Sequence, residues 1–101
     1  MKTLEELEAE RMAWSLKVFT QATCLSSLQK LRDEIDEVET DVINGDDPTE
    51  EYVDCLMCLF DSAGRRGISV ADLTEAFARK LAKNKARRWV KNSNNTYSHV
   101  K

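Results

Sequence analysis

Residues 28–42 read LQKLRDEIDEVETDV, and their apolar positions recur at alternating steps of three and four. These positions are Leu28, Leu31, Ile35, Val38 and Val42. An α-helix has about 3.6 residues per turn, so this spacing predicts an amphipathic helix over about residues 27–43. Ser26 and Gln29 have the spacing of a capping box at its start. The Asn-Gly pair directly after the stretch tolerates the left-handed conformation that ends many helices.

Two more helices are predicted on either side of this one. The first covers about residues 3–19, where four apolar residues share one face (Leu4, Leu7, Trp14 and Val18), although Arg11 interrupts it. The third follows the sequence DDP at residues 46–48, because an acidic N-cap followed by proline is typical of a helix start. It extends to about Arg66, where Gly67 ends it.

A fourth helix is predicted from about Ser69 to Val90, with an apolar stripe formed by Val70, Leu73, Phe77 and Leu81. Residues 1–90 are therefore expected to form one helical domain, and residues 91–101 a polar, flexible C-terminal tail. The composition agrees, since one Pro and three Gly in 101 residues leave few turns for hairpins. The predicted fold class is all-α, with four helices.

Charge is distributed unevenly along the chain, although the net charge is only −3. Residues 1–61 carry 16 acids and 5 bases, whereas residues 62–101 carry 2 acids and 10 bases. This difference is compatible with a solvated acidic face and a basic tail, or with a site that binds cations through one half and phosphate through the other. The odd number of cysteines indicates a reducing, cytoplasmic setting, and no stretch predicts a membrane span or a signal peptide.

Acidic residues on the second and third helices form the candidate metal site. Glu34 and Glu37 are three residues apart and share one helix face, with Asp41 one turn further along. Glu51 and Asp54 have the same spacing on the third helix. Two such pairs on neighbouring helices would bring four carboxylates together. That arrangement is unfavourable without a cation and favourable around Mg²⁺, which prefers oxygen ligands.

The third helix favours this hypothesis, because Asp54 lies within the otherwise apolar run YVDCLMCLF at residues 52–60. A helix that is apolar on all sides is expected to be buried. A bare buried carboxylate is costly unless it is protonated, paired or bound to metal. The simpler alternative treats Glu34 and Glu37 as surface acids with Lys30 as a local partner, but the second acidic pair weighs against it.

The acidic residues carry a resemblance to a known family. Asp33-Glu34-x-x-Glu37, thirteen intervening residues and Glu51-x-x-Asp54 resemble the EExxE…ExxD signature of the all-α nucleoside triphosphate pyrophosphatase (MazG-like) superfamily. Asp33 stands where that signature usually has its first Glu. Three further stretches resemble the dATP/dGTP pyrophosphohydrolase branch of that superfamily. They are Trp14-Ser15 with Phe19, Asp61-x-Ala63 with Arg66-Gly67, and Lys80-x-x-Lys83-Asn84-x-x-Arg87-x-Trp89.

The resemblance implies a Mg²⁺-dependent hydrolase, with Mn²⁺ as a substitute metal. Its implied reaction is cleavage of a nucleoside triphosphate, with purine deoxynucleotides favoured, to a monophosphate and pyrophosphate. The implied metal-binding and catalytic residues are Glu34, Glu37, Glu51 and Asp54. The implied substrate-binding residues are Trp14, Lys80, Lys83, Asn84 and Arg87. Lys80, Lys83 and Arg87 also fall at steps of three and four, which predicts one basic stripe on the fourth helix, and Asn84 lies on the same stripe.

A chain this small buries little around a triphosphate by itself. Together with the resemblance, this predicts a four-helix MazG-like bundle completed by dimerisation, as a homodimer or homotetramer, in the cytoplasm of a bacterial cell or phage-infected host. Two other functions remain open. One is a MazG-like protein without catalytic activity that binds nucleotides or proteins. The other, disfavoured by the acidic first half, is a nucleic-acid-binding module that uses the basic last helix.

Overall fold

The computed structural model describes all residues from Met1 to Lys101, in four helices followed by a two-stranded sheet. The elements are α1 (Leu4–Val18), α2 (Cys24–Asn44), α3 (Thr49–Arg65), α4 (Val70–Ala86), β1 (Trp89–Lys91) and β2 (Tyr97–His99). The chain forms two compact units, Met1–Val70 and Ala71–Lys101. The predicted four helices and the all-α class are confirmed.

The long acidic helix α2 begins one turn earlier than its sequence predicts. The amide of Ser26 donates to the Thr23 hydroxyl, and the amide of Thr23 donates to the Ser26 hydroxyl. This reciprocal capping box starts the helix at Cys24, so the predicted pairing of Ser26 with Gln29 is wrong. Gly45 ends α2 with a positive φ of 76°, a conformation that glycine adopts without strain.

Helix α3 starts directly after a short connection that returns the chain along α2. Pro48 occupies the N-cap position, and the Asp47 carboxylate accepts hydrogen bonds from the amide and hydroxyl of Thr49. The helix packs against α2 and also against α1. At Gly64, a side-chain Cβ would lie only 2.7 Å from the sulfur of Met12, so glycine lets α1 approach α3 closely at this point.

The apolar run on α3 is not enclosed by the chain itself, which corrects the prediction that this helix is buried. Val53, Leu56, Met57 and Leu59 are all exposed. Val38 on α2 is the only apolar side chain in the whole chain that is buried, at 8% exposure. A helix that is apolar on all sides needs neighbours on all sides, and α1 and α2 cover only part of its surface.

The second unit consists of most of α4 and a β-hairpin. Helix α4 ends at Ala86, four residues before the predicted end at Val90. Strands β1 and β2 then pair antiparallel, with Trp89 opposite His99. The connecting turn is rich in asparagine, and Asn95 has a positive φ of 68°, which asparagine tolerates better than most residues. The segment predicted to be a flexible tail therefore forms a hairpin. None of the helices has the length and apolar character needed to cross a membrane.

Candidate active site

Three of the four predicted metal ligands converge. Glu34 and Glu37 lie three residues apart on α2, and α3 places Asp54 beside them. One carboxylate oxygen from each of these residues lies within 4.8 Å of the other two. This spacing suits a shared divalent cation, which prefers several oxygen ligands.

Glu34 is the buried member of this acid cluster, with 7% exposure. Its Oε1 atom lies 3.1 Å from the ammonium nitrogen of Lys30. Its other carboxylate oxygen, Oε2, is buried and has no hydrogen-bond partner. A buried carboxylate oxygen without a partner is costly, so the chemistry of the cluster fits a divalent cation. Asp54, by contrast, is exposed, and the prediction that it is the buried acid is wrong.

The crowding of carboxylates affects the pKa of the neighbouring residue Glu37. The pKa of Glu37 is raised above its ordinary value, first because its carboxyl lies within hydrogen-bonding range of the Glu34 carboxyl and also because of the Glu34 charge. Burial and the charge of Asp54 act in the same direction, whereas Lys30 opposes them. Like charges placed this closely favour retention of a proton until a cation neutralises them.

The fourth predicted ligand, Glu51, lies outside this cluster of three. It lines a second cavity of about 300 Å³ together with Asp36, Glu37, Thr40 and Asp41. A hydrogen bond from its own backbone lowers the pKa of Glu51, but burial and the Asp41 carboxyl outweigh it and raise the pKa overall. Glu37 lies both in the cluster and on this cavity, so the acidic surface extends along α2 from Glu34 to Asp41.

An aromatic surface adjoins the acid cluster. Glu34 and Asp54 line a cavity of about 420 Å³ whose wall also contains Trp14 and Phe19. The two rings are in edge-to-face contact, with centroids 5.2 Å apart and planes at 87°. Trp14 remains 54% exposed. The cavity therefore offers carboxylates and an aromatic surface to one ligand, and it includes the predicted substrate-binding residue Trp14.

Asp61 also lines this cavity and is the centre of a hydrogen-bond network. The sequence placed it in a stretch that resembles the family but gave it no role. Its Oδ1 accepts from Ser15 and Arg11, and its Oδ2 accepts from Ser27 and Arg65. Burial opposes ionisation of Asp61, but these hydrogen bonds outweigh it and hold its pKa well below the ordinary value. The one local signal in the sequence is Arg65, four residues after Asp61 on the same helix face.

The predicted basic residues lie on the second unit. Lys80 and Lys83 are exposed on α4. Arg87 follows the end of α4, so the predicted continuous helical stripe stops before it. Its guanidinium still lies 3.4 Å from the side-chain oxygen of Asn84, whose backbone carbonyl accepts a hydrogen bond from Trp89. The structure thus brings Asn84 and Arg87 together and anchors the tryptophan beside them.

The low pKa of Asp61 predicts how stability depends on pH. A carboxyl whose folded-state pKa is depressed stabilises the fold above its unfolded pKa, and this contribution is lost as pH falls through that range. We expect the melting temperature of the unaltered chain to fall more steeply below about pH 4 than that of Asp61→Asn. Thermal denaturation between about pH 2 and pH 7 measures this. Parallel pH profiles for the two proteins would contradict the prediction.

The fold and the acid cluster together place the chain in the all-α MazG-like class. Its structure is similar to that of a Cyanophage S-2L MazG-like pyrophosphohydrolase bound to dGDP and three catalytic Mn²⁺ ions per active site. The TM-score is 0.80 with 33% identity, and the match covers 100% of both chains. The resemblance and the enzyme class predicted from the sequence are therefore confirmed.

Sequence comparison assigns the particular family. The dATP/dGTP pyrophosphohydrolase family matches residues 7–101. A dATP/dGTP diphosphohydrolase of Cyanophage S-2L is 34% identical over 99 residues, which cover 97% of this chain and 89% of that relative. The chain therefore belongs to the dATP/dGTP pyrophosphohydrolase family.

Proposed function

We propose that the chain hydrolyses purine deoxynucleoside triphosphates to monophosphate and pyrophosphate, with Mg²⁺ as its metal and Mn²⁺ able to replace it. The observation that carries this proposal is the buried, unpartnered Oε2 atom of Glu34 beside the carboxylates of Glu37 and Asp54. The relatives named for dATP and dGTP hydrolysis, and the dGDP and Mn²⁺ bound to one of them, support it.

Glu34, Glu37 and Asp54 are proposed as the first metal ligands, and Glu51 as a ligand at the adjoining acidic cavity. When bound, a divalent cation neutralises charge on phosphate oxygens and lowers the pKa of a coordinated water. The residues of the chain determine where the positive charge of the cation is placed. Burial and Lys30 fix Glu34, whereas Glu37 and Asp54 are exposed and would hold the cation where substrate phosphates can reach it.

The cavity beside the acid cluster is proposed to bind the nucleobase. Its volume of about 420 Å³ falls within the range typical of small-molecule sites. Trp14 and Phe19 give it an aromatic wall, and a purine ring gains free energy by stacking on such a surface. Ser15, Ser27 and Arg11 donate their hydrogen bonds to Asp61, so base binding here depends mainly on shape and stacking.

The basic second unit is proposed to bind phosphate oxygens. Residues 71–101 carry 8 bases and 2 acids. Lys80 and Lys83 provide mobile ammonium groups, and Arg87, held beside Asn84, provides a guanidinium suited to paired phosphate oxygens. These four residues are the substrate-binding set that the sequence predicted on this unit.

A substrate panel tests the proposed function. Purified chain is incubated with each common dNTP and NTP plus Mg²⁺, and monophosphate and pyrophosphate are quantified by chromatography. We expect dATP and dGTP to be cleaved with the highest kcat/KM and orthophosphate to be absent. Absence of turnover with all nucleotides, in folded protein supplied with Mg²⁺ or Mn²⁺, would overturn the proposal.

We also propose that the chain works as a homodimer or homotetramer. The exposed apolar residues of α3 and the single buried apolar side chain, Val38, support this, because monomeric proteins rarely expose a large apolar patch. Light scattering at micromolar concentration should give a mass of at least two chains, and introducing a charge with Leu56→Asp should lower it. A monomeric mass for the unaltered chain would contradict the assembly.

The proposed location is the cytoplasm of a bacterial cell, including one infected by phage. Two observations support it. The similar relative comes from a cyanophage, and all three cysteines are free thiols, as is usual in reducing compartments.

A further inference from the structure

One carboxylate connects three helices beside the proposed base-binding cavity. Asp61, on α3, is 8% exposed. Its Oδ1 atom accepts from Ser15 of α1 over 2.7 Å, and its Oδ2 atom accepts from Ser27 of α2 over 2.6 Å. Ser15 is itself the most deeply buried side chain, at 1% exposure. Asp61 therefore fixes where α1 and α2 lie relative to the face of α3 that carries Asp54.

Arg65 extends this connection to the segment between α1 and α2. Its Nε donates to Asp61 over 2.7 Å. Its two other nitrogens donate to the backbone carbonyls of Ala22, at 3.0 Å, and Phe19, at 3.2 Å. The ring of Phe19 contacts that of Trp14. The aromatic wall of the cavity is thus held through Phe19 by Arg65, and through Ser15, the residue after Trp14, by Asp61.

We propose that Asp61 is a positioning residue for nucleotide binding, which holds the wall formed by Trp14 and Phe19 at the correct distance from the acid cluster. Asp61 lines the cavity, but its two oxygens already accept hydrogen bonds from four side-chain donors, so it has no free acceptor to offer a nucleotide. It acts through Ser15 and Arg65. The inference deepens the base-binding part of the proposed function and rests on it.

Burial energetics support a positioning role. A buried, hydrogen-bonded ion pair is often no more stabilising than well-packed apolar residues of similar volume. Trp14 and Phe19 are about half exposed, so packing alone does not fix their position. Directional hydrogen bonds to a buried charge do fix it, and a wall that is already fixed loses less conformational entropy when a nucleotide binds.

A double-mutant cycle tests the coupling between Asp61 and the aromatic wall. We measure KM and kcat for dATP, and calorimetric Kd for a dATP analogue with a methylene bridge between the α and β phosphorus atoms. Asp61→Asn and Trp14→Ala should each raise KM and Kd about tenfold, while Asp61→Asn leaves kcat within about threefold. The double variant should raise KM and Kd little more than either single variant, because both substitutions disrupt the same aromatic wall.

Calorimetric titration with Mn²⁺ alone provides a control, because a general loss of structure would raise the Kd for Mn²⁺. Asp61→Asn should leave the Kd for Mn²⁺ unchanged, whereas Glu34→Gln should raise it. Additive effects of Asp61→Asn and Trp14→Ala would overturn the inference. A proportional fall of kcat and Mn²⁺ binding without a change in KM would overturn it as well.

Ser15 and Ser27 offer a matched pair if Asp61→Asn does not fold. Each donates one hydrogen bond to Asp61 and lines the cavity, but only Ser15 adjoins Trp14 in the chain. Ser15→Ala should raise KM for dATP about fivefold and Ser27→Ala less than about twofold, with similar losses of melting temperature for both. Equal changes in KM would overturn the inference.

The outcomes separate this inference from the proposed function. Failure of the unaltered chain to bind the dATP analogue or to cleave any nucleotide would contradict both the proposed function and the role of Asp61. Activity in the unaltered chain with additive double mutants, or with equal effects at the two serines, would remove only the role of Asp61.

Discussion

Glu34→Gln should lower kcat/KM for dATP by about 10²–10³-fold, because it removes the one buried carboxylate of the acid cluster. The substitution keeps the shape of the side chain and removes its charge. In metal-free protein we expect the melting temperature to stay the same or rise, since the variant no longer buries a carboxylate oxygen without a partner. Steady-state kinetics and thermal denaturation in the presence of EDTA measure the two effects.

Glu39→Gln is the control for this experiment. Glu39 lies on the same helix and is exposed, so the substitution removes an equal charge at a position away from the cluster. It should keep kcat/KM within about twofold of the unaltered chain. Full activity in Glu34→Gln, or an equal loss in Glu39→Gln, would exclude Glu34 from the site.

Removal of divalent metal should abolish activity and also lower stability. A ligand that binds only the folded state at a concentration of about 100 times its Kd stabilises it by about 2.7 kcal/mol. For a domain of this size that corresponds to a rise in melting temperature of roughly 10–20 °C. We therefore expect Mg²⁺ to shift the melting curve of EDTA-treated protein upward by this amount and to restore hydrolysis.

The same titration on Glu34→Gln separates the site from general ionic effects. The shift should be lost in this variant and kept in Glu39→Gln. Salt at equal ionic strength, which screens the other charges of α2, should not reproduce it. An unaltered chain that melts at the same temperature with EDTA and with saturating Mg²⁺ would show that the acid cluster holds no cation.

Apolar periodicity and helix start and end signals identified all four helices, because both are local properties of the sequence. The start of α2 was predicted one turn too late, because the structure caps this helix with Thr23 and Ser26 and not with Ser26 and Gln29. The hairpin was missed because strands of three residues carry too little alternation to be recognised. Its stability depends on the asparagine turn and on strand pairing.

The acidic motif predicted that Glu34, Glu37 and Asp54 lie together, as they do in the structure, but it did not indicate which of them is buried. Asp54 was expected to be buried because its neighbours in sequence are apolar, whereas the spacing of Glu34 also allowed it to be a surface acid. The structure reverses this, with Glu34 buried and Asp54 exposed. Burial depends on which elements pack around a residue, and neighbouring sequence positions do not encode that arrangement.

The hydrogen-bond network around Asp61 could be predicted from the sequence even less. In sequence, Arg11 only interrupts the apolar face of the first helix, yet its guanidinium lies 3.0 Å from Asp61, fifty residues away. The sequence gives Ser15 and Ser27 no role, and three helices bring them to one carboxylate. Only the Asp61–Arg65 pair, separated by one helical turn, could be found locally.

The apolar surface of α3 has a consequence for how the enzyme responds to its own abundance. If assembly covers this surface, the folded, active population follows mass action, because association and folding are then linked. Activity per chain would rise with protein concentration and fall on dilution. A cell that makes little of the protein would have less activity than the number of its protein chains indicates. A small increase in expression would then have a large effect on its nucleotide pool.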